Sequence, residues 1–121
     1  MTTKSILKPI ENQILQVRGQ KVLLDSDLAA LYEVEARTLN QAVKRNAQRF
    51  PKDFVFQLKA KESEILRSQN VISRSSHGGR RYLPYAFTEH GAIMAASVLN
   101  SPRAVQMSIF VVRAFYACGR P

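Results

Sequence analysis

Acidic side chains are scarce in this chain of 121 residues, which holds nine Asp and Glu against 18 Lys and Arg. The formal net charge of +9 favours a polyanionic partner, with nucleic acid first and an anionic membrane surface second. A charge that serves only solubility is the alternative. At this charge density, nucleic acid is the better explanation.

Cysteine and histidine are also rare. A single cysteine, Cys118, excludes an internal disulfide and a cysteine-rich zinc site. The two histidines, His77 and His90, have no cysteine near them in the sequence. Neither a Ser/His/Asp or Cys/His set nor a phosphate-loop glycine pattern can be assembled. We therefore expect a protein that is not an enzyme and holds no metal and no cofactor.

Long apolar segments are missing as well. Residues 1–13 contain no apolar stretch typical of a secretory signal, and the run Ser108–Cys118 is interrupted by Arg113 and too short to span a bilayer. We therefore expect a soluble, cytoplasmic protein without membrane contact. Hydrophobic residues make up 45% of the chain, which is enough for one core. We assign residues 1–13 to a lead-in, 14–118 to a single domain and 119–121 to a tail.

The chain does contain a stretch, Leu24–Phe50, that predicts two helices joined by a tight turn. Asp25 or Ser26 is suited to cap the first helix, which is only about two turns long and must be held by packing. The turn falls on residues 33–35. The second helix is predicted to begin at about residue 36 or 38 and to end at Phe50. A helix-turn-helix presents two helices of this kind to the DNA major groove.

The second helix has one apolar face and one polar face by the i, i+4 rule. Its polar face carries residue types that read base edges or bind phosphates. These residues are Asn40, Gln41, Lys44, Arg45 and Gln48, with Arg37 and Thr38 at the helix N-terminus as phosphate ligands. An ordinary solvated face is the alternative. Residues 36–61 hold seven Lys and Arg against one acid, which favours DNA contact.

The other segments predict an α+β domain. A β hairpin over Ile14–Leu24 precedes the two helices, and a strand over Asp53–Leu58 and a helix over Lys59–Gln69 follow them. A later strand contains Pro84, which restricts it to a sheet edge or to a position where the missing N–H is not needed. Two C-terminal helices close the domain, and Thr88 and Ser101-Pro102 are suited to begin them, as a cap and as a cap followed by proline. The last, Arg103–Cys118, is apolar over most of its circumference, so we expect it to be buried on two sides.

A second hairpin is predicted around Gly78 and Gly79. Its tip contains four basic or imidazole side chains without a carboxylate: Arg74, His77, Arg80 and Arg81. A basic hairpin that follows two helices is typical of the wing of a winged helix-turn-helix, which contacts phosphates or the minor groove. A surface loop that is kept soluble by its charge is the alternative.

Several motifs occur in an order that resembles a known family. VLLDSDLAALYEV, LNQAVKRN, RFPKDF, GGRRYLPYAFTE and the ending SVLNSPRAV–RAF lie within Ile14–Phe115. Together they closely resemble the "open reading frame six N-terminal" domain, a relative of the KilA-N and Bro-N domains of phage and prophage antirepressor-type proteins. The resemblance implies a DNA-binding domain of a phage-derived regulator, acting at the nucleoid of a bacterial host cell. Family members often continue into a C-terminal domain, so this chain is either a fragment or a short member.

These observations support two hypotheses. The first is a non-enzymatic domain that binds double-stranded DNA in a sequence-dependent manner, as a transcriptional regulator or an antirepressor. The second is a protein-interaction module, either a homodimer through the C-terminal helix or a domain that binds a repressor protein. Its contact would be the apolar remainder of the last helix, with Val105, Ile109, Val112 and Tyr116 on one side and Met107, Phe110, Val111 and Ala114 on the other.

Overall fold

A four-stranded antiparallel sheet with helices on both faces makes up the part of the chain that the computed structural model describes, residues 10–69 and 83–119. The strands are β1 (Leu15–Val17), β2 (Gln20–Leu24), β3 (Val55–Gln57) and β4 (Tyr85–Phe87), in the order β1-β2-β4-β3. The helices are α1 (Asp25–Leu31), α2 (Ala36–Arg45), α3 (Ala60–Ser68), α4 (Glu89–Leu99) and α5 (Pro102–Ala117). Residues 10–13 are also helical. The α+β class predicted from the sequence is confirmed.

Strand β2 has apolar side chains on both faces of the sheet. Because successive side chains of a strand point to opposite faces, Val22 and Leu24 lie on one side and Leu23 on the other. Leu23 belongs to the larger core, which it shares with α1, α2, α4 and α5. Val22 and Leu24 belong to a second cluster with Leu66 of α3. The sheet is therefore the middle of three layers.

The first hairpin is closed by a two-residue turn, Arg18 and Gly19, since Val17 pairs with Gln20. Both turn residues have positive φ angles, 55° and 75°, which suits the right-handed twist of the strands. The Arg18 side chain contacts α3: its Nε donates to Glu62 Oε2 at 2.7 Å, and its Nη2 donates to Glu62 Oε1 at 2.9 Å. Its guanidinium also lies 4.4 Å from the centre of the Phe56 ring. The turn is thereby fixed to the helix on the second face of the sheet.

The capping predictions are partly right. Thr88 Oγ1 accepts from Gly91 N at the start of α4, and Ser101 Oγ accepts from Ala104 N at the start of α5, as Thr88 and Ser101-Pro102 predicted. The cap predicted for the first helix is wrong, because α1 begins at Asp25 itself and Leu24 precedes it without a capping side chain. The Asp25 side chain is buried and bonds to Ser26 N in the first turn of α1 and to Asn40 and Tyr85 outside this helix.

The second helix is shorter than predicted. It ends at Arg45, and a 3₁₀ turn over Ala47–Arg49 replaces the last turn expected before Phe50. Asn46 explains the break, because its Nδ2 donates to the Ala42 carbonyl oxygen at 2.8 Å and its backbone leaves helical geometry. A side chain that competes for a helical carbonyl favours termination at this residue.

Pro84 was predicted to lie either at a sheet edge or at a position where its missing N–H is not needed, and the structure shows the second. Strand β4 lies inside the sheet, between β2 and β3, so it is not an edge. The proline stands just before the strand, where no N–H is needed, and its carbonyl oxygen accepts from Leu58 N at 2.9 Å.

Helix α5 is buried on one side, and the prediction that it is buried on two sides is wrong for the described chain. Ala104, Met107, Val111, Ala114 and Phe115 lie in the larger core. On the opposite side, Val105, Ile109 and Tyr116 are 50%, 51% and 70% exposed. The helix therefore joins the core and also presents apolar surface.

Helix α4 approaches the backbone of residue 54 very closely at Gly91. The Phe54 carbonyl oxygen accepts from Thr88 N at 3.0 Å and from Thr88 Oγ1 at 3.2 Å, which holds the first turn of α4 against the segment before β3. A Cβ atom at Gly91 would lie 2.0 Å from that oxygen. Only glycine fits at this position without a shift of the helix.

We expect Gly91→Ala to destabilise the domain by about 3 kcal/mol or more, since a backbone atom cannot rotate away from the new methyl group. Gly19→Ala is the control. Gly19 has a positive φ but nothing within 4 Å of the added Cβ, so only the backbone strain of about 1 kcal/mol applies. Urea unfolding of both variants measures the difference. Equal losses of stability would contradict the close approach.

The ion pair between Arg18 and Glu62 predicts a pH dependence. The hydrogen bond from Arg18 lowers the pKa of Glu62 from its ordinary 4.5 to about 2. Because the folded pKa lies below the unfolded one, this stabilisation is present above about pH 4.5 and is lost as the pH falls towards 2.

We therefore expect Glu62→Gln to lower the urea midpoint at pH 7 and to differ progressively less from the wild type as the pH falls below 4.5. Glu64→Gln, on the same helix, is the control and should change the midpoint little, because Glu64 is exposed. A difference between wild type and Glu62→Gln that stays constant from pH 7 to pH 3 would contradict the role of the ion pair.

Candidate nucleic-acid interface

Helix α2 has one side against the core, where a single apolar side chain is fully buried, and a polar side that faces solvent. Leu39 is buried in the larger core, and Ala36 and Val43 pack against that core from the same helix. The opposite side is solvent-exposed. Six of the seven predicted contact residues around this helix lie there: Arg37, Thr38, Gln41, Lys44, Arg45 and Gln48.

The cations on this surface are only weakly engaged within the protein. Arg37 lies 3.5 Å from a carboxylate oxygen of Glu35, and both side chains are largely exposed, so the pair contributes little. Within residues 10–69 and 83–119, no carboxylate lies within 4 Å of Lys44, Arg45 or Arg49. Lys44 and Arg45 also occupy the last turn of α2, where the helix dipole stabilises positive charge. This surface can therefore neutralise phosphates without first breaking an ion pair at these three side chains.

The N-terminus of α2, predicted as a phosphate site, is less favourable. Glu35 is the residue that precedes the helix, and its side chain makes no capping hydrogen bond. Its carboxylate places negative charge next to Arg37 and Thr38, which opposes the binding of an anion at the free N–H groups. The electrostatic balance thus shifts the stronger phosphate affinity to the C-terminal half of the helix.

Asn40 is the predicted contact that the structure places differently. It is half-buried, and its Nδ2 donates to Asp25 Oδ2 at 2.9 Å. The same Asp25 carboxylate accepts from Ser26 N at 2.8 Å and from Tyr85 N at 3.3 Å. One amide donor of Asn40 is therefore engaged within the protein. The negative charge of Asp25 also acts on a neighbouring carboxyl, because burial and the charge of Asp25 together raise the pKa of Asp27.

Asp25 is the residue that the sequence did not reveal as important for this surface. The sequence pattern assigned it to a helix cap. The signal that could have identified it is the position of an acid directly after the apolar run Val22–Leu24, which is buried on both faces of the sheet. An acid carried into such surroundings must find donors inside the protein.

The helix pair α1 and α2 is joined without glycine. Glu33 takes the left-handed conformation with φ 57°, and its N donates to the Ala30 carbonyl oxygen at 3.2 Å. Val34 N donates to the Ala29 carbonyl oxygen at 3.0 Å, which completes a Schellman motif. Val34, in the turn between the two helices, packs against the larger core. The turn therefore has fixed geometry.

The second part of the predicted interface lies outside the described residues. Arg74, His77, Arg80 and Arg81, the predicted wing, fall between residues 70 and 82. They stay a prediction, as does the winged helix-turn-helix.

A cleft of 670 Å³ lies away from the α2 surface. It is lined by the turn of the first hairpin, the residues before β3, and parts of α4 and α5, including Lys21, Asp53, Glu89, His90 and Phe115. The His90 ring stacks on the Phe54 ring with a centroid distance of 5.5 Å. No group of three or more His, Cys, Asp or Glu suited to a metal ion occurs among the described residues.

A family model, that of the ORF6N domain, matches residues 12–98. The chain belongs to the ORF6N domain family. This confirms the family suggested by the sequence motifs and places the chain in a phage-associated group. No curated protein and no solved structure matches the chain. Within the described part of this ORF6N domain, no helix is both long enough and apolar enough to cross a membrane.

Proposed function

We propose that this ORF6N domain binds double-stranded DNA in a sequence-dependent manner, as part of a phage- or prophage-derived regulator, and that it does so without catalysis. The observation that carries the proposal is the exposed surface of α2, where amide and basic side chains stand together on a helix anchored to the core by Leu39. Amide groups and guanidinium groups bond base edges bidentately, and Lys and Arg neutralise phosphates. The chain's net charge of +9 supports the same partner.

The roles on this surface follow from side-chain chemistry. Gln41 suits adenine, and Arg45 suits guanine, because each can form two parallel hydrogen bonds to the base edge. Lys44 and Gln48 suit the phosphates on either side, and Arg37 suits a phosphate less well because the Glu35 carboxylate lies beside it. The domain would act in the cytoplasm of a bacterial host, at the nucleoid, either as a repressor or as an antirepressor.

The affinity of the domain for a DNA duplex should fall steeply as the salt concentration rises. Selection from a random duplex pool supplies the sequence, and fluorescence titration at several salt concentrations supplies the slope. We expect log affinity to fall against log salt with a slope on the order of −4 or steeper, since several phosphates would be neutralised. A shallow slope, or a pool in which no sequence is enriched, would refute the proposal.

The paired substitution Lys44→Ala with Arg45→Ala should weaken binding and make the salt slope shallower by about one for each phosphate that is no longer neutralised. Both side chains are exposed, so the urea midpoint should stay unchanged. The single substitution Arg45→Ala has Arg113→Ala as its control. Arg113 is also an exposed arginine, but it lies on a different helix. If Arg113→Ala weakens DNA binding as much as Arg45→Ala, the interface is not on α2.

A second candidate function is protein association through α5. The exposed side chains Val105, Ile109 and Tyr116, with the half-buried Val112 between them, follow each other at intervals of four, three and four residues. This spacing is that of a seam between two helices, and apolar surface left uncovered commonly marks association. The partner would be a second copy of the chain or a repressor protein.

For self-association, light scattering should give a mass above that of one chain, and Ile109→Glu should return the mass to that of a monomer, because a carboxylate in an apolar seam loses its hydration. Ile65→Glu is the matched control, since Ile65 on α3 is 49% exposed and Ile109 is 51% exposed. A wild-type domain that stays monomeric at all concentrations would exclude the homodimer.

A further inference from the structure

The fully buried carboxylate of Asp25 connects three elements of the fold. Its Oδ1 accepts from Ser26 N in the first turn of α1. Its Oδ2 accepts from Tyr85 N of β4 at 3.3 Å and from Asn40 Nδ2 of α2 at 2.9 Å. A single oxygen atom is thus shared by the sheet and the helix that carries the candidate DNA surface.

The position of Asp25 follows from the register of the sheet. Leu24 pairs with Ala86, so Asp25 comes opposite Tyr85, where the next pair of the ladder would form. The chain turns into α1 at this residue. The Tyr85 N–H therefore donates to the carboxylate of Asp25 on the side of β4 that faces β2. The hydrogen bond continues the sheet by one residue, with a side chain in place of the backbone.

Asn40 stands at the boundary between the two sides of α2. The preceding residue, Leu39, is fully buried, and the following one, Gln41, is exposed. Lys44 lies one turn further along, four residues away and next to Asn40 on the helix surface. Any rotation of α2 that moved Asn40 away from Asp25 would also turn Gln41, Lys44 and Arg45 to a new direction.

Apolar packing of Leu39, Ala36 and Val43 turns one side of α2 to the core but defines the rotation of the helix less sharply than a hydrogen bond does. Leu39 is the one fully buried side chain of α2, and dispersion contacts have little directional preference. A hydrogen bond to a buried carboxylate is directional, and breaking it removes one donor from a buried charge. The Asn40–Asp25 bond is therefore suited to fix the angle of the helix about its axis.

We propose that Asn40 is a positioning residue for DNA binding, which sets the direction of the α2 surface through Asp25, and that it is not a reader of bases. This inference rests on the proposed function. It assigns the contacts with bases to Gln41 and Arg45, whose exposed side chains need not leave the protein interior to reach DNA. The two roles have different signatures when every base pair of the selected duplex is varied in turn.

Loss of a base reader relaxes discrimination at the one position that it reads, whereas loss of a positioning residue relaxes discrimination at every position read from α2. We expect Gln41→Ala to show the first pattern and Asn40→Ala the second, with a loss of about tenfold or more in affinity for the selected duplex. The measurement is affinity for the selected duplex and for a panel of single-base-pair variants.

Tyr32→Phe is the matched control for stability. It removes a different buried hydrogen bond, from Tyr32 Oη to the Ala92 carbonyl oxygen, which is also 2.9 Å long and joins α4 rather than α2. We expect this variant to lower the urea midpoint and to keep the discrimination of the wild type at all positions. Equal loss of discrimination in Tyr32→Phe and Asn40→Ala would mean that general stability is responsible, and would overturn the proposal.

Asn40→Gln gives the same comparison if Asn40→Ala does not fold. It keeps the amide donor but displaces it by one methylene, so the bond to Asp25 cannot form in its present geometry, and the loss of discrimination should again extend over all positions. A loss confined to one base pair, or no loss, in either folded variant overturns the positioning role while the proposed function stands. A wild-type domain that selects no duplex overturns the proposed function and the positioning role together.

Discussion

The burial of β2 on both faces is the constraint on which the rest of the structure depends. Val22 and Leu24 need cover on one side of the sheet and Leu23 on the other, so helices must lie on both. Because α1 begins directly after Leu24, the same strand carries Asp25 into the interior. A buried carboxylate needs donors, and these include Ser26 N, Tyr85 N of the sheet and the Asn40 amide of α2. The alternation of three apolar residues thus brings the Asp25 carboxylate into contact with the helix that carries the candidate DNA surface.

Much of the fold could be predicted because the relevant signals are local. The hairpin around Gly19 and the helix starts at Thr88 and Ser101 depend on turn and capping chemistry within a few residues. Two features could not be predicted: the early end of α2 and the left-handed conformation in the turn before it. Asn46 bonds back to Ala42 and ends α2 early. Glu33 takes a left-handed conformation that a glycine usually supplies, so composition carried no signal for it.

The candidate site was predictable to the extent that helical spacing determines exposure. The i, i+4 rule separates Leu39 and Val43 from Gln41, Lys44 and Arg45, and the structure places them on opposite sides of α2. It could not separate Asn40 from its neighbours. The partner of Asn40 lies 15 positions away in the sequence, and Asp25 meets Tyr85 across 60 positions. Such pairings depend on sheet register and helix placement, which no local pattern contains.

The segment that defines the family and the unit that folds differ in extent. The ORF6N match ends at residue 98, before α5 begins at Pro102. Yet Met107, Val111 and Phe115 of α5 pack in the same core as Leu23 and Phe87 of the sheet. A chain trimmed to the matched segment would uncover the alanine-rich side of α4 and remove the large apolar side chains that cover it. The boundary suited to expression and crystallisation therefore lies after Ala117, well outside the segment by which the domain is recognised.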